Sequence, residues 1–366
     1  MNRKLYIAFA AALFMVAACT KHSTDPTPQA PDSSHSYIFF ETEVIEAVKS
    51  KAGIFVEESL PIPKDDNDHS DEFGVLGYYN GNSLFSDYTN PKDIALVYRA
   101  GTDYSYYTYD HLATWQKDID ANKDNMHYFY AFYPYSIYST VAANSGAPSI
   151  SYSLDSNTAD ILTAYQSYDS KATNVELEFH HRLWALDFVI TNNQTDNQYN
   201  PGTGTPSNNL SVISAVLELK DIPSVGTLNI DADRTATVTT RTTKTYTLKS
   251  RSGNTPTGDD VIESTKSEEY GPLLFFPTAV ASAEGVANPF KVQYKIKLEV
   301  RNPWGVEYEI SYPTEGYADF KTSLTSFVAG KRYQLKVTKG NGASFTVSLN
   351  ENIPWDQTFE FEHTFN

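Results

Sequence analysis

Two groups of side chains in this sequence have the chemistry of a metal site. Two neighbouring histidines, His180 and His181, carry imidazole nitrogens that bind transition metals. A polar stretch supplies carboxylates, the ligands that calcium prefers, at Asp65, Asp66, Asp68, Asp71 and Glu72. The stretch lacks the spacing and turn glycine of a calcium loop, and the histidines lack a cysteine or carboxylate at zinc-ligand spacing. We therefore interpret the stretch as a solvated loop and the histidines as packed or hydrogen-bonded strand residues.

Sequence signatures of catalysis and cofactor binding are missing. There is no G-x-S-x-G, no H-E-x-x-H and no phosphate-binding loop, and a single cysteine excludes a C-x-x-C pair. We predict a protein that is not an enzyme and that uses no catalytic residue, cofactor or metal. A surface hydrolase is an alternative that rests only on scattered carboxylates.

The only cysteine, Cys19, is placed for attachment of lipid. It follows an export signal in which Arg3 and Lys4 form the charged start and residues 5–16 the apolar segment. The tetrapeptide VAAC, which ends at this cysteine, resembles the bacterial lipobox, where the thiol receives a diacylglyceryl group. We predict a lipoprotein signal peptide over residues 1–18 and anchoring in outer-membrane lipid through the acylated cysteine. An ordinary cleaved signal with an incidental cysteine is the alternative.

The composition indicates a folded body with an acidic surface. The chain has 366 residues, enough for two hydrophobic cores, and its 26 tyrosines and 20 phenylalanines favour strands. With 45 acidic and 28 basic side chains the formal net charge is -17, which opposes binding to nucleic acid. Residues 19–36 are rich in Pro, Ser, Thr and Asp and predict a flexible tether.

The rest of the chain has the pattern of an all-β fold. Short runs of aromatic and β-branched residues alternate with turn residues, most clearly at 175–179, 292–300 and 333–349. The last of these predicts a hairpin that turns at Asn341-Gly342, a pair suited to a type I′ turn. We place an N-terminal domain at 37–172 and a C-terminal domain at 173–366. The polar stretch 192–209 is either a linker or a long loop within the second domain.

Tyrosine-rich segments allow two interpretations. Flat rings with polar edges form platforms for carbohydrate, which would make this a glycan-binding surface protein. Tyrosine is also a good strand residue whose ring packs in a core, and the alternation favours that interpretation. The residues concerned are Tyr104, Tyr106, Tyr107, Tyr109, Tyr128, Phe129, Tyr130, Phe132, Tyr133 and Tyr135.

Several segments, in this order, resemble one known family. They are Trp115, 128–134 (YFYAFYP), 160–164 (DILTA), 175–188 (VELEFHHRLWALDF), 329–333 (AGKRY) and 353–355 (IPW). Together they resemble the fimbrillin-like (Mfa-like) family of surface lipoproteins from Bacteroidetes-type bacteria. The resemblance implies two tandem transthyretin-like β-sandwich domains of Greek-key topology. It also implies a subunit of type V pili, at the cell surface or in the fimbrium. In that family the first strand is removed by proteolysis, and the C-terminal segment of another subunit fills the groove.

This sequence offers candidates for both halves of the exchange that the resemblance implies. The apolar-rich residues 37–48 are the candidate first strand, and Lys49 and Lys51 are the candidate cleavage positions. A donor strand is predicted from Phe359, Phe361 and Phe365, which share one face of an extended segment. The alternative for that tail is a last strand of its own domain.

The candidate cleavage region departs from the family pattern. Family stalk subunits are typically cut after arginine, yet no arginine lies between Arg3 and Arg99. The chain either keeps its first strand and acts as an anchor, or is cut by a protease that accepts lysine. The predicted partners are other fimbrial subunits, outer-membrane lipid and surface glycans or proteins.

Overall fold

A computed structural model gives the structure of most of the body of the chain. It describes residues 37–45, 72–85, 93–100, 106–109, 112–116, 125–143, 148–155, 160–169, 174–194, 198–199, 206–207, 211–250, 261–279, 292–301, 307–320, 326–341 and 345–353.

The described elements are strands, apart from one 3₁₀ helix at Tyr135–Thr140. The strands are β1 Phe40–Ile45, β2 Phe73–Tyr79, β3 Asn82–Ser83, β4 Ala95–Ala100, β5 Tyr106–Thr108, β6 His127–Tyr133, β7 Val141–Ala142, β8 Ser149–Ser153, β9 Leu162–Tyr168, β10 Val175–His181, β11 Trp184–Asn192, β12 Gln198–Tyr199, β13 Pro206–Ser207, β14 Ser211–Asn229, β15 Ala236–Lys249, β16 Lys266–Phe275, β17 Thr278–Ala279, β18 Gln293–Arg301, β19 Glu307–Tyr312, β20 Ala318–Asp319, β21 Ser326–Phe327, β22 Arg332–Lys339 and β23 Phe345–Ile353. The predicted all-β class is confirmed.

The first sheet holds eight strands. Their order is β1-β10-β9-β6-β2-β4-β5, with β3 paired to β2. Neighbouring strands are antiparallel, except that β1 runs parallel to β10. Its central strand β6 reads HYFYAFY, and aromatic side chains suit a pleated, buried surface. Gly74 lies opposite Phe132 in this sheet, and a Cβ atom at Gly74 would come within 2.1 Å of that ring, so the close approach requires glycine.

Side chains of the first sheet alternate between two hydrophobic cores, as the period of a strand dictates. In β6, Phe129 and Ala131 belong to the first core, whereas Tyr130 and Phe132 belong to the second. The first core consists of Ile38, Phe40, Phe73, Val75, Phe85, Ala95, Val97, Tyr109, Trp115, Phe129, Ala131, Leu162, Ala164, Val175, Leu177 and Phe179.

The long strand β14 organises the seven-stranded sheet. The order of that sheet is β19-β18-β14-β8-β7, with β15 paired to β14 and β20 to β18. β14 has 19 residues and pairs with β18 along its first part, with β8 along its last part and with β15 along its other edge. Register shifts near its middle mark bulges, which bend a strand and increase its twist.

A four-stranded sheet shares the second core with the seven-stranded sheet. Its order is β16-β11-β22-β23, and β11 and β22 are parallel. Buried residues of β18, such as Ile296 and Leu298, and of β22, such as Leu335, belong to this one core. At its centre the Trp184 ring stacks on Phe327 at 3.9 Å between centroids, and its Nε1–H donates to the Phe276 carbonyl at 2.9 Å.

Strand pairing crosses the predicted domain boundary in both directions. β10 begins after residue 172 but pairs with β9, which ends before that residue. β8 ends before residue 172 but pairs with β14, which begins after it. The division at 172/173 into two transthyretin-like sandwiches stays a prediction.

The predicted alternation appears where it was expected. Even-numbered residues of β18 are buried and its odd-numbered residues half-buried, and β22 and β23 form an antiparallel hairpin. The described ladder of the hairpin runs as far as Lys339 opposite Phe345, and Gly342 of the predicted turn lies outside the described residues. The type I′ turn at Asn341-Gly342 stays a prediction.

Candidate functional site

The candidate site is the edge of the first sheet, where β1 lies. β1 pairs parallel with β10 from Phe40 opposite Val175 to Ile45 opposite His180. The Val175 N–H donates to the Phe39 carbonyl at 2.7 Å, and the Ile38 N–H donates to the Ala113 carbonyl at 3.0 Å. β1 is thus a terminal strand of the sheet, joined to it by backbone hydrogen bonds.

The start of β1 and the residues just before it fill the first core. Ile38 and Phe40 are 0% and 3% exposed. The Phe40 ring lies 5.5 Å from Tyr109, 5.9 Å from Phe129 and 6.4 Å from Phe73, between ring centroids. The Tyr109 hydroxyl donates to the Ile38 carbonyl at 2.7 Å, and burial raises the pKa of this hydroxyl above its usual range. The first core is therefore closed by a strand from the very start of the body.

Acidic residues occupy paired positions along β1 and β10. The register places Glu41 level with Glu176 and Glu43 level with Glu178. Glu176 and Glu178 are exposed. Like charges at directly opposite positions destabilise a ladder.

The predicted lipidation, cleavage and donor residues lie outside the described residues. They are Cys19, Lys49, Lys51, Phe359, Phe361 and Phe365. The structure describes the elements next to them: β1 ends at Ile45, and β23 ends at Ile353 on an edge of the four-stranded sheet. Residues 65–71 of the acidic stretch are outside the described residues as well.

The two histidines lie at the end of β10. His181 Nδ1 is 2.5 Å from Asp160 Oδ2, as the hydrogen-bonded interpretation predicts. Burial lowers the pKa of His180 to about 4, and the nearby positive groups of Arg234 and Arg182 and the ring of His181 contribute. Among the side chains that the structure describes, no three His, Cys, Asp or Glu groups are gathered as metal ligands.

The aromatic rings of β6 pack mainly inward. Phe129, Tyr130 and Phe132 are buried. Tyr138 is the exposed aromatic ring among the described side chains, at 40% exposure, and stacks on Tyr135 with centroids 5.3 Å apart. Tyr128, Tyr133 and Tyr135, which the glycan interpretation also names, are half-buried, and that interpretation stays a prediction.

Sequence reasoning missed two buried arginines. Arg332 Nε and Nη2 donate to the two carboxylate oxygens of Asp187 at 2.6 and 3.0 Å, with both side chains buried. Burial raises the pKa of Asp187, and the bond and charge of Arg332 partly offset that rise. Gly271, with φ of 116°, lets the backbone approach this pair, because a Cβ atom there would lie 2.8 Å from the Leu186 carbonyl oxygen.

The second arginine, Arg182, is 1% exposed and donates four hydrogen bonds. Its Nη1 donates to Thr163 Oγ1 at 2.8 Å and to the Asn229 carbonyl at 2.6 Å. Its Nη2 donates to the carbonyls of Arg234 at 2.7 Å and Thr235 at 3.2 Å. Burial lowers the pKa of Arg182 to about 10. Arg332 lies in the AGKRY segment and Arg182 in the VELEFHHRLWALDF segment. Their place in these two segments of family resemblance was the sequence signal that could have pointed to them.

The part of the chain that contains these two segments matches a known protein family. The family model described as fimbrillin-like matches residues 63–354, which is most of the chain. The chain belongs to the fimbrillin-like family. The match begins after β1 and extends to the end of β23. In the described part of this fimbrillin-like chain, no helix has the length and apolar character needed to cross a bilayer.

The chain is also similar to solved structures of proteins from Bacteroides and Parabacteroides. One, a candidate cell adhesion protein from Bacteroides uniformis, is 17% identical with a TM-score of 0.42, over 77% of this chain and 91% of that one. Another, from Parabacteroides distasonis, is 10% identical with a TM-score of 0.45, over 86% and 98%. A fimbrial protein from Bacteroides ovatus is 12% identical with a TM-score of 0.34, over 85% and 51%. No curated protein matches the chain. The family assignment rests on the family model.

Proposed function

We propose that this fimbrillin-like chain is a structural subunit of a cell-surface fimbria that serves adhesion, with no enzymatic role. It is exported as a lipoprotein precursor, acylated at Cys19 and held in the outer membrane. Subunits join when the first strand is removed and a strand of another subunit takes its place. The observation that supports this most directly is the position of β1, a terminal strand whose Phe40 closes the first core together with Ile38 just before it.

Loss of β1 would open an edge of the first sheet and uncover part of the first core, and a replacement strand could cover both. The edge of β10 would expose unpaired N–H and C=O groups, and such edges attract extended segments. Rings such as Phe73 and Phe129 would lose the cover of Phe40. Burial of one large apolar side chain contributes about 1.5–3 kcal/mol, so an incoming strand with apolar anchors is strongly favoured. A strand donated from the far end of another copy gives a head-to-tail contact that grows as a filament.

The test is the N-terminus of protein recovered from the cell surface, by intact mass and N-terminal sequencing. We expect a start near Ala52 in protein from filaments, and loss of that form in a Lys49→Gln, Lys51→Gln variant. Lys64→Gln is the matched control, because it removes a lysine from the same region outside the candidate cleavage positions. A start at acylated Cys19, with no chain in filaments, would replace the subunit role with that of a membrane-bound anchor.

A further inference from the structure

One long edge strand of this molecule lacks the residues that keep sheet edges apart. Edge strands present unpaired N–H and C=O groups, and proteins block them with charged side chains or proline. Among the described strands, five with six or more residues lie at a sheet edge, and four of these carry such residues. The blocking residues are Glu41 and Glu43 in β1, Arg241 and Lys244 in β15, Glu269 and Pro272 in β16, and Glu307 and Glu309 in β19.

The fifth edge strand is β23. Its first six residues, FTVSLN, contain neither charge nor proline, and of the strands that the structure describes it pairs with β22 alone. Val347 and Leu349 pack against the second core but remain half-buried. Thr346, Ser348 and Asn350 are exposed on the opposite face. This edge therefore offers both backbone groups and apolar surface to a further strand.

The regular part of β23 is symmetric about one residue. Its ladder with β22 is regular from Phe345 to Glu351, and a register shift follows at the end of the strand. Ser348 is the central residue of this stretch. Two copies of the stretch can therefore pair antiparallel along their whole length when Ser348 lies opposite itself.

The side chains suit this self-pairing. On the core face, Val347 of one copy lies opposite Leu349 of the other. On the exposed face, Thr346 lies opposite Asn350, and the two Ser348 side chains lie opposite each other. Apolar and β-branched pairs stabilise a ladder, and the pairing brings no like charges together.

We propose that two copies of this chain pair through β23 in antiparallel orientation, with the two-fold axis at Ser348. The four-stranded sheets of the two copies then form one continuous sheet of eight strands. Buried Leu335 and Val337 lie level with Leu349 and Val347, so apolar rows run across the joint. Each copy uses the same surface, so the contact closes as a dimer and does not grow into a chain.

This contact goes beyond the proposed function. It lies on the four-stranded sheet, whereas the proposed strand exchange takes place at β1 in the first sheet, and it requires no strand to be removed. A joint of one short strand pair is small, so a single contact is weak. In a fimbria the same contact would recur along two neighbouring filaments, and repeated weak contacts bind strongly together.

Disulfide trapping tests the orientation and the axis. The chain from residue 19, with Cys19→Ser and β1 retained, is a background without thiols. Ser348→Cys places two thiols at directly opposite positions, within disulfide reach. Thr346→Cys or Asn350→Cys alone places them about 13 Å apart along the strands, outside that reach. We expect about tenfold more crosslinked dimer from the first variant, and crosslinking again when the other two variants are mixed.

Each pattern of crosslinks supports or overturns the contact. Equal yields from the three single variants indicate random collision and overturn it, as does the absence of any crosslinked dimer. A yield that is highest for position 346 or 350 alone contradicts the axis at Ser348. Every chain in this test keeps β1, so failure here leaves the proposed strand exchange untouched, and that exchange is tested by the N-terminus of the cell-surface protein.

A charge variant gives a second readout. Ser348→Lys places two ammonium groups opposite each other, with Lys336 level with each, so dimerisation at low salt should weaken roughly 1.5- to 5-fold. Mixed Ser348→Lys and Ser348→Glu chains should pair more tightly than either variant alone. Thr346→Lys is the matched control, because it lies opposite uncharged Asn350. Analytical ultracentrifugation measures the dimer, and equal weakening by the two lysine substitutions would overturn the proposed axis.

Discussion

Phe40 is the residue on which closure of the first core depends most directly. It is 3% exposed and lies among three aromatic rings, so Phe40→Ala should lower the free energy of unfolding by about 3–5 kcal/mol. Urea denaturation of the uncleaved chain that starts at residue 19 and retains β1 measures this. Tyr138→Ala, at a ring that is 40% exposed, is the control and should change stability by no more than about 0.5 kcal/mol. No loss at Phe40 would mean that β1 detaches before the molecule unfolds.

The buried pair of Asp187 and Arg332 predicts a strong coupling. Arg332→Met leaves a buried carboxylate without its charge partner and should cost about 3–5 kcal/mol of stability. Asp187→Leu combined with Arg332→Met removes both charges and should recover most of that loss. Denaturant unfolding of the two single variants and the double variant gives the coupling. Additive single effects would contradict it.

His180 predicts a pH dependence of stability. Its pKa is lowered from 6.5 to about 4 in the folded chain, so the unfolded chain binds the proton more readily between those values. Stability from the neutral ring is fully present above pH 6.5 and is lost as the pH falls toward 4. His180→Gln should therefore show a smaller loss of stability than the unmodified chain between pH 6.5 and 4. Equal pH profiles in thermal unfolding would rule this out.

At the scale of elements, position in a sheet decides how easily a strand opens. β14 pairs with strands on both of its edges, whereas β1 pairs along its length with β10 alone among the described strands. Edge strands open locally at a lower free energy than central strands. Hydrogen exchange followed by mass spectrometry should show backbone amides of residues 40–45 exchanging well before those of 215–219. Equal protection would mean that β1 belongs to the rigid part of the fold.

The sequence was most informative about single strands. Alternation predicted β10, β18 and the β22–β23 hairpin, because half-buried strands carry a period of two. It did not predict that β1 joins β10 in parallel or that β8 joins β14, because the choice of partner depends on contacts between distant parts of the chain. The apolar start of the body did indicate the first strand.

The charged residues of the cores were harder to predict than the strands. Arg182, Asp187 and Arg332 are buried, yet a charged residue in a strand or next to one is normally taken as a surface position. Only their partners reveal the burial, and those partners lie on other elements: Asn229, Arg234 and Thr235 for Arg182, and β22 for Asp187.

At the scale of the whole molecule, Arg182 links the first sheet to the β14–β15 hairpin. It follows β10 and donates to Thr163 of β9 and to carbonyls of residues 229, 234 and 235. Arg182→Met leaves these buried acceptors without a donor and should cost about 2–5 kcal/mol. Arg182→Lys retains the charge with fewer donors and should recover part of the loss. Calorimetry that shows equal melting temperatures for the methionine variant and the unmodified chain would contradict the link.

The length of β14 has a mechanical consequence. A force applied along this strand must slide it past β15, β18 and β8, so many ladder bonds bear the load at once in shear. A force that lifts a strand sideways from a sheet edge, as at β1, breaks the bonds one after another. A molecule built this way resists tension along β14 and opens first at β1.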